Sequence, residues 1–146
     1  MPVLLLGSLL AVALIAAGCG GGDDDSDTTT ASLTKSEWIA KADAICKQGN
    51  QEINQAAQQQ FGNQKPTPAA LQQFATGTAL PNTQTQVDKI RALGAPSGEE
   101  DQVNKILDTV QADIDKAKAA GDIEESTFAD GDALAKQYGL KVCGQD

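Results

Sequence analysis

From Leu33 to Tyr138 the large apolar side chains recur at helical spacings and nowhere alternate. The clearest stripe is Val103, Ile106, Leu107, Val110, Ile114 and Ala117, which closes at Gly121. Apolar residues three and four apart share one face of an α-helix, whereas a half-buried strand needs strict alternation. No stretch supplies that alternation, so the periodicity predicts an all-α fold. Short links between the stripes predict a four-helix bundle in up-down order over residues 33–146.

Local signals place the helices. Thr34 and Glu37 form a capping-box pair, flanked by Leu33 and Trp38 at the hydrophobic-staple positions. The stripe then runs through Trp38, Ala42, Ile45, Ile53, Ala57 and Phe61, with Gly49 weakening the middle of the helix by about 1 kcal/mol relative to Ala. The Gln-rich stretch from Gln48 to Gln64 reads as its wet face. Thr67-Pro68 opens a second helix as a cap followed by proline at the first helical position. Leu71, Phe74 and Thr78 are expected on one face, a break or kink at Pro81, and a continuation through Val87, Ile90 and Leu93. Ser97 and Glu100 read as a second capping box starting a third helix. A fourth helix is expected from Asp122 to Tyr138, stopped by Gly139 and Leu140.

Composition sets limits on function. The chain has 146 residues, with 11 basic against 20 acidic ones, for a formal charge of −9 and no His. A nucleic-acid binder needs a basic face, which this balance does not supply. Zinc and haem sites lean on His or clustered Cys, so no cofactor or metal site is expected. Serine catalysis through a His base is excluded by the lack of His. The acid groups Glu99-Glu100-Asp101, Asp113/Asp115 and Asp130/Asp132 are too closely spaced along a helix to face one another. They fit helix starts, where they favour the dipole. No catalytic residue is assigned, and the chain reads as a non-enzyme.

Residues 3–17 (VLLLGSLLAVALIAA) form an uncharged apolar run. It is shorter than the roughly 20 residues of a spanning helix and leads into small residues, as a secretory leader does. Ala16-Ala17-Gly18-Cys19 resembles the lipobox of bacterial lipoproteins, departing from it in having Ala16 where Leu is usual. That resemblance implies a signal peptide over residues 1–18, cleavage between Gly18 and Cys19, and a diacylglyceryl group on the Cys19 thioether. The mature protein would then be anchored at the extracytoplasmic face of the cell membrane, palmitate-type acyl chains holding it there. Gly20 to Thr30, with its glycines and four Asp, reads as part of a flexible tether over residues 19–32. Those acids lack the Gly and Glu positions of an EF-hand loop.

With Cys19 lipidated, two cysteines remain, Cys46 and Cys143, 97 residues apart. Outside the cytosol they are expected to pair, the alternative being two separate thiols. Ala42-Asp43-Ala44-Ile45-Cys46 and the closing Val142-Cys143-Gly144, behind a lipobox and tether, resemble small lipoproteins of actinobacteria. The resemblance implies an anchored helical domain with a Cys pair and no particular activity. Two functional readings follow: a lipid-anchored binding module for an envelope protein or small ligand, and a surface spacer without a specific ligand. A sizeable apolar pocket or exposed apolar patch favours the first, and a uniformly polar exterior the second.

Overall fold

The computed structural model describes residues 32–124 and 126–144. The expected signal peptide (1–18), the lipidated Cys19, the cleavage at Gly18 and all of the tether except Ser32 lie outside the described residues. The described residues are helical, with no strand among them: α1 (Lys35–Phe61), α2 (Pro68–Phe74), a π-helical stretch (Ala75–Ala79), α3 (Leu80–Arg91), α4 (Glu100–Ala120) and α5 (Ala129–Tyr138). Because α2, the π stretch and α3 run on without interruption, the bundle has four rods. None of these helices is long and apolar enough to cross a membrane.

The capping box at α1 forms as the sequence predicts. Thr34 Oγ1 accepts the Glu37 N–H at 3.3 Å, and Glu37 Oε2 accepts the Thr34 N–H at 2.9 Å. The hydrogen bonds from Thr34 hold the Glu37 carboxyl below its usual range. Trp38, Ala42, Cys46 and Gly49 are the buried face of α1. Thr67 caps α2 through the Ala70 N–H at 3.2 Å, with Pro68 in the first turn.

Pro81 does not break the rod that contains it. Proline has no N–H for the carbonyl four residues back and its ring crowds that carbonyl. The helix widens just before it: the Leu80 N–H bonds the Ala75 carbonyl, a π-type step. The extra residue shifts the buried face, so that Leu80 rather than Thr78 follows Phe74 into the core. Leu71 is also not on a buried face. It is 49% exposed, while Phe74 on the buried side packs edge-on to Phe61 of α1 at 5.4 Å.

Two other starts differ from expectation. Ser97 does not cap α4, which begins at Glu100 after Glu99. Gly98 takes a left-handed φ of 81° and the Glu99 N–H returns to the Pro96 carbonyl, so a turn intervenes. The fourth helix begins at Ala129 rather than Asp122. Asp122 accepts the Ile123 N–H and Thr127 the Glu124 N–H, both at 2.8 Å, side-chain bonds that compete with helix formation. At its end, Gly139 (φ 113°) and Leu140 make the paired bonds to Lys136 and Ala135 that close a helix in a Schellman turn, with Leu140 buried.

The rods pack in sequence, α1 on α3, α3 on α4 and α4 on α5. Val87, Ile90, Val103, Ile106, Leu107 and Ile114 form the middle of one core. The bundle closes where α5 returns to α1. There Trp38 and Tyr138 meet edge to face at 5.5 Å, the Lys35 ammonium lies 4.1 Å above the Tyr138 ring, and Cys46 is joined to Cys143. Burial and then the neighbouring Glu99 push the Tyr138 hydroxyl above its usual pKa.

Candidate functional site: a cavity behind the disulfide clasp

The predicted Cys46–Cys143 disulfide is present, with Cα atoms 5.4 Å apart. It is one part of a larger clasp. Asp43 lies three residues before Cys46, one turn away on the same helix face. Its carboxylate accepts three successive backbone N–H groups of the C-terminal segment: Lys141 at 3.0 Å, Val142 at 2.8 Å and Cys143 at 3.2 Å. Three converging N–H groups make an anion-binding concavity, and the protein's own side chain fills it. Gly144 then lies flat on α5 with φ 75°, where a Cβ would come within 2.9 Å of the Asp132 backbone. The two Cys-containing motifs are thereby one structural unit.

A second polar group crosses between rods further along α1. Glu52 accepts Gln48 Nε2 at 2.9 Å and Asn82 Nδ2 at 2.9 Å, and these bonds hold its carboxyl below the usual range. Asn82 Oδ1 in turn accepts Gln86 Nε2 at 2.8 Å. Gln86 is 91% buried, and its amide passes directly over Gly49, where any Cβ would overlap it. Gly49 therefore makes room for Gln86.

Clasp and relay border a cavity of about 230 Å³. Its inner wall is Trp38, Val87, Ile90, Ile106, Leu107 and Leu140, all buried. Cys46 and Cys143 form part of one side, and Asn50, Thr83, Gln86 and Asp132 supply its polar groups. A mostly apolar hollow with a few convergent polar groups is the usual form of a small-molecule site.

The remaining candidates are not brought together. Glu99 pairs with Lys35 at 3.2 Å, and Glu100 and Asp101 are exposed. Asp113 is buried with Lys116 at 3.4 Å from its Oδ1, while Asp115 turns outward to Gln111. Asp130 is exposed and Asp132 half-buried at the cavity. Among the described residues no group of three His, Cys, Asp or Glu side chains is placed to hold a metal ion. In the sequence Asp43 stands out only as a member of the Ala42–Cys46 motif, and Asn82 and Gln86 do not stand out at all. For Asp43 the available signal was its one-turn spacing from Cys46, and for Gln86 it was an otherwise unfavourable glycine in the facing helix.

Compared with protein-family models, with curated proteins and with solved structures, the chain finds no match in any of the three.

Proposed function

We propose that this protein is a lipid-anchored component of the cell envelope, held through Cys19 at the extracytoplasmic face of the membrane. Its helical domain binds a small molecule in the bundle cavity and performs no chemistry on it. The observation that carries the binding reading is the cavity: about 230 Å³, walled mainly by apolar side chains, with polar residues of α1, α3 and α5 at its lining. A hollow of roughly 150 Å³ with apolar walls is enough for benzene, so this one has room for a somewhat larger molecule. The exterior offers less: among the described residues Leu71 is the single large apolar side chain that is exposed. The lipid anchor is supported by the lipobox-like Ala16-Ala17-Gly18-Cys19, and a disulfide accords with an oxidising compartment.

Two measurements on the expressed full-length chain test the two halves of this reading. Mass analysis of the membrane fraction should find a diacylglyceryl group on Cys19 as the N-terminal residue, and Cys19→Ala should abolish both the lipid and the cleavage before residue 19. An unmodified Cys19 in the membrane fraction would refute the anchor. Thermal unfolding with increasing benzene or indole should show a saturable rise in Tm, as expected for a ligand bound only by the native state. No rise with either probe would refute the binding site and favour a spacer.

A further inference from the structure

The walls of the cavity are of two kinds. Helices α1, α3, α4 and α5 each contribute lining residues, and a helix opens only with the loss of several cooperative bonds. The remaining wall is the segment Leu140–Gly144, which lies beyond the end of α5 at Tyr138. Leu140, Val142, Cys143 and Gly144 all line the cavity, whereas Lys141 between them is exposed. Here a single layer of non-helical chain has the hollow on one side and solvent on the other. Its N–H groups at Lys141, Val142 and Cys143 go to the Asp43 carboxylate, so one side chain stands in for a backbone ladder. One turn further along α1, Cys46 ties the same segment covalently through Cys143. Gly139, with a left-handed φ of 113°, turns the chain out of α5 at one end of this strap, and Gly144 rests against Asp132 at the other. Segments with so few backbone bonds are the ones that open ahead of the rest of a fold.

We infer that the Leu140–Gly144 strap is the gate by which a ligand enters and leaves the cavity, and that the Cys46–Cys143 disulfide locks it. This rests on the cavity being a binding site, as proposed above. While the bond is intact the strap moves only with α1. A dithiol reductant releases it by thiol–disulfide exchange. The thiolate of the reductant bonds to the Cys143 sulfur, the half-buried one of the pair, and the buried Cys46 sulfur leaves as a thiolate. The second thiolate of the reductant then displaces Cys143. Two electrons and two protons pass to the cysteines, and the dithiol becomes a disulfide. The Asp43 bonds and the buried Leu140 side chain then hold the strap, contacts that break and re-form without covalent chemistry. The oxidised protein thus exchanges its ligand slowly and the reduced protein quickly.

Methyl NMR line shapes of Val87 and Leu107, both on the cavity wall, report how fast bound indole exchanges in the full-length protein. Reduction with dithiothreitol should raise that rate by about ten-fold or more. A Cys46→Ser, Cys143→Ser double variant should exchange as fast without any reductant. Amide hydrogen exchange locates the opening. In the reduced protein Lys141, Val142 and Cys143 should exchange about ten-fold or more ahead of Ile106 and Leu107 in α4. Equal indole exchange rates in the oxidised and reduced protein would overturn the gate while leaving the cavity reading intact. So would a double variant that exchanges as slowly as the oxidised protein. Strap and α4 amides exchanging at one rate would also overturn it, since the segment would then open only with the whole bundle. No indole binding to either form would overturn both the gate and the cavity reading.

Discussion

Asp43 and Gly49 are the two residues whose roles depend most on partners far away in sequence. Asp43 satisfies three N–H groups about a hundred residues later. Hydrogen bonds to a charged group are among the stronger ones in proteins, and truncation would leave those donors on the half-buried clasp unpaired. Asp43→Ala should therefore cost about 2–3 kcal/mol in urea unfolding of the oxidised protein. A change near zero would mean that the disulfide alone holds the segment. At Gly49, helix propensity alone predicts that Gly→Ala stabilises by about 1 kcal/mol. The Gln86 amide occupies the space that the new methyl needs, so that gain should be absent from the measured stability. A full gain would show that Gln86 does not lie over Gly49. Acid titration reads the same scale. Glu37 and Glu52 have folded pKa values below their ordinary 4.5 because of the hydrogen bonds they accept. The folded state thus binds fewer protons than the unfolded chain in this range. Their contribution is present above the unfolded value and is lost as the pH falls through the folded ones. Stability should decline on acidification below about pH 4.5, and the decline should be shallower in a Glu37→Gln, Glu52→Gln double variant.

Among the elements, α1 shows how local chemistry can settle a boundary, and α4 how it can mislead. Thr34 and Glu37 sit in a segment free to bond reciprocally, whereas Ser97 is followed by Gly98, whose left-handed turn carries it out of capping position. Thr34→Ala should lower stability by about 1 kcal/mol and Ser97→Ala should leave it unchanged within a few tenths, both measured by denaturant midpoint. Equal losses would contradict the observed starts. The helical stripes were legible because each depends only on spacing within one segment, which is why the Val103–Ala117 face and the Gly139-Leu140 stop are found as expected. The phase of the second rod was not. A π step before Pro81 puts Leu80 rather than Thr78 in the core, a change of phase that spacing alone does not reveal. The start of α5 was hidden for a similar reason, since Asp122 and Thr127 each have a helical and a turn-forming use. The cavity and its relay were beyond reach of sequence patterns altogether. They depend on how far α1 and α3 slide along one another, which brings Gly49 beneath Gln86.

At the scale of the whole molecule, the Cys46–Cys143 link and the cavity beside it are the features that matter most. Cys46 and Cys143 close 97 residues, nearly the whole folded chain. Constraint of the unfolded state by a loop of that length is worth about 4–5 kcal/mol in the chain-entropy account. A Cys46→Ser, Cys143→Ser double variant should lose about that much, read from paired urea titrations. A loss under about 1 kcal/mol would show that the Asp43 clasp and the Trp38–Tyr138 contact close the bundle unaided. The cavity is the more consequential feature, because the proposed binding function rests on it. The most direct measurement is methyl NMR of the oxidised protein titrated with indole. The expected result is saturable shifts at Val87, Ile90, Ile106 and Leu107, which line the cavity, with Ile114 and Leu93, which do not, unmoved. Shifts spread evenly over all methyls, or none at saturating indole, would contradict it.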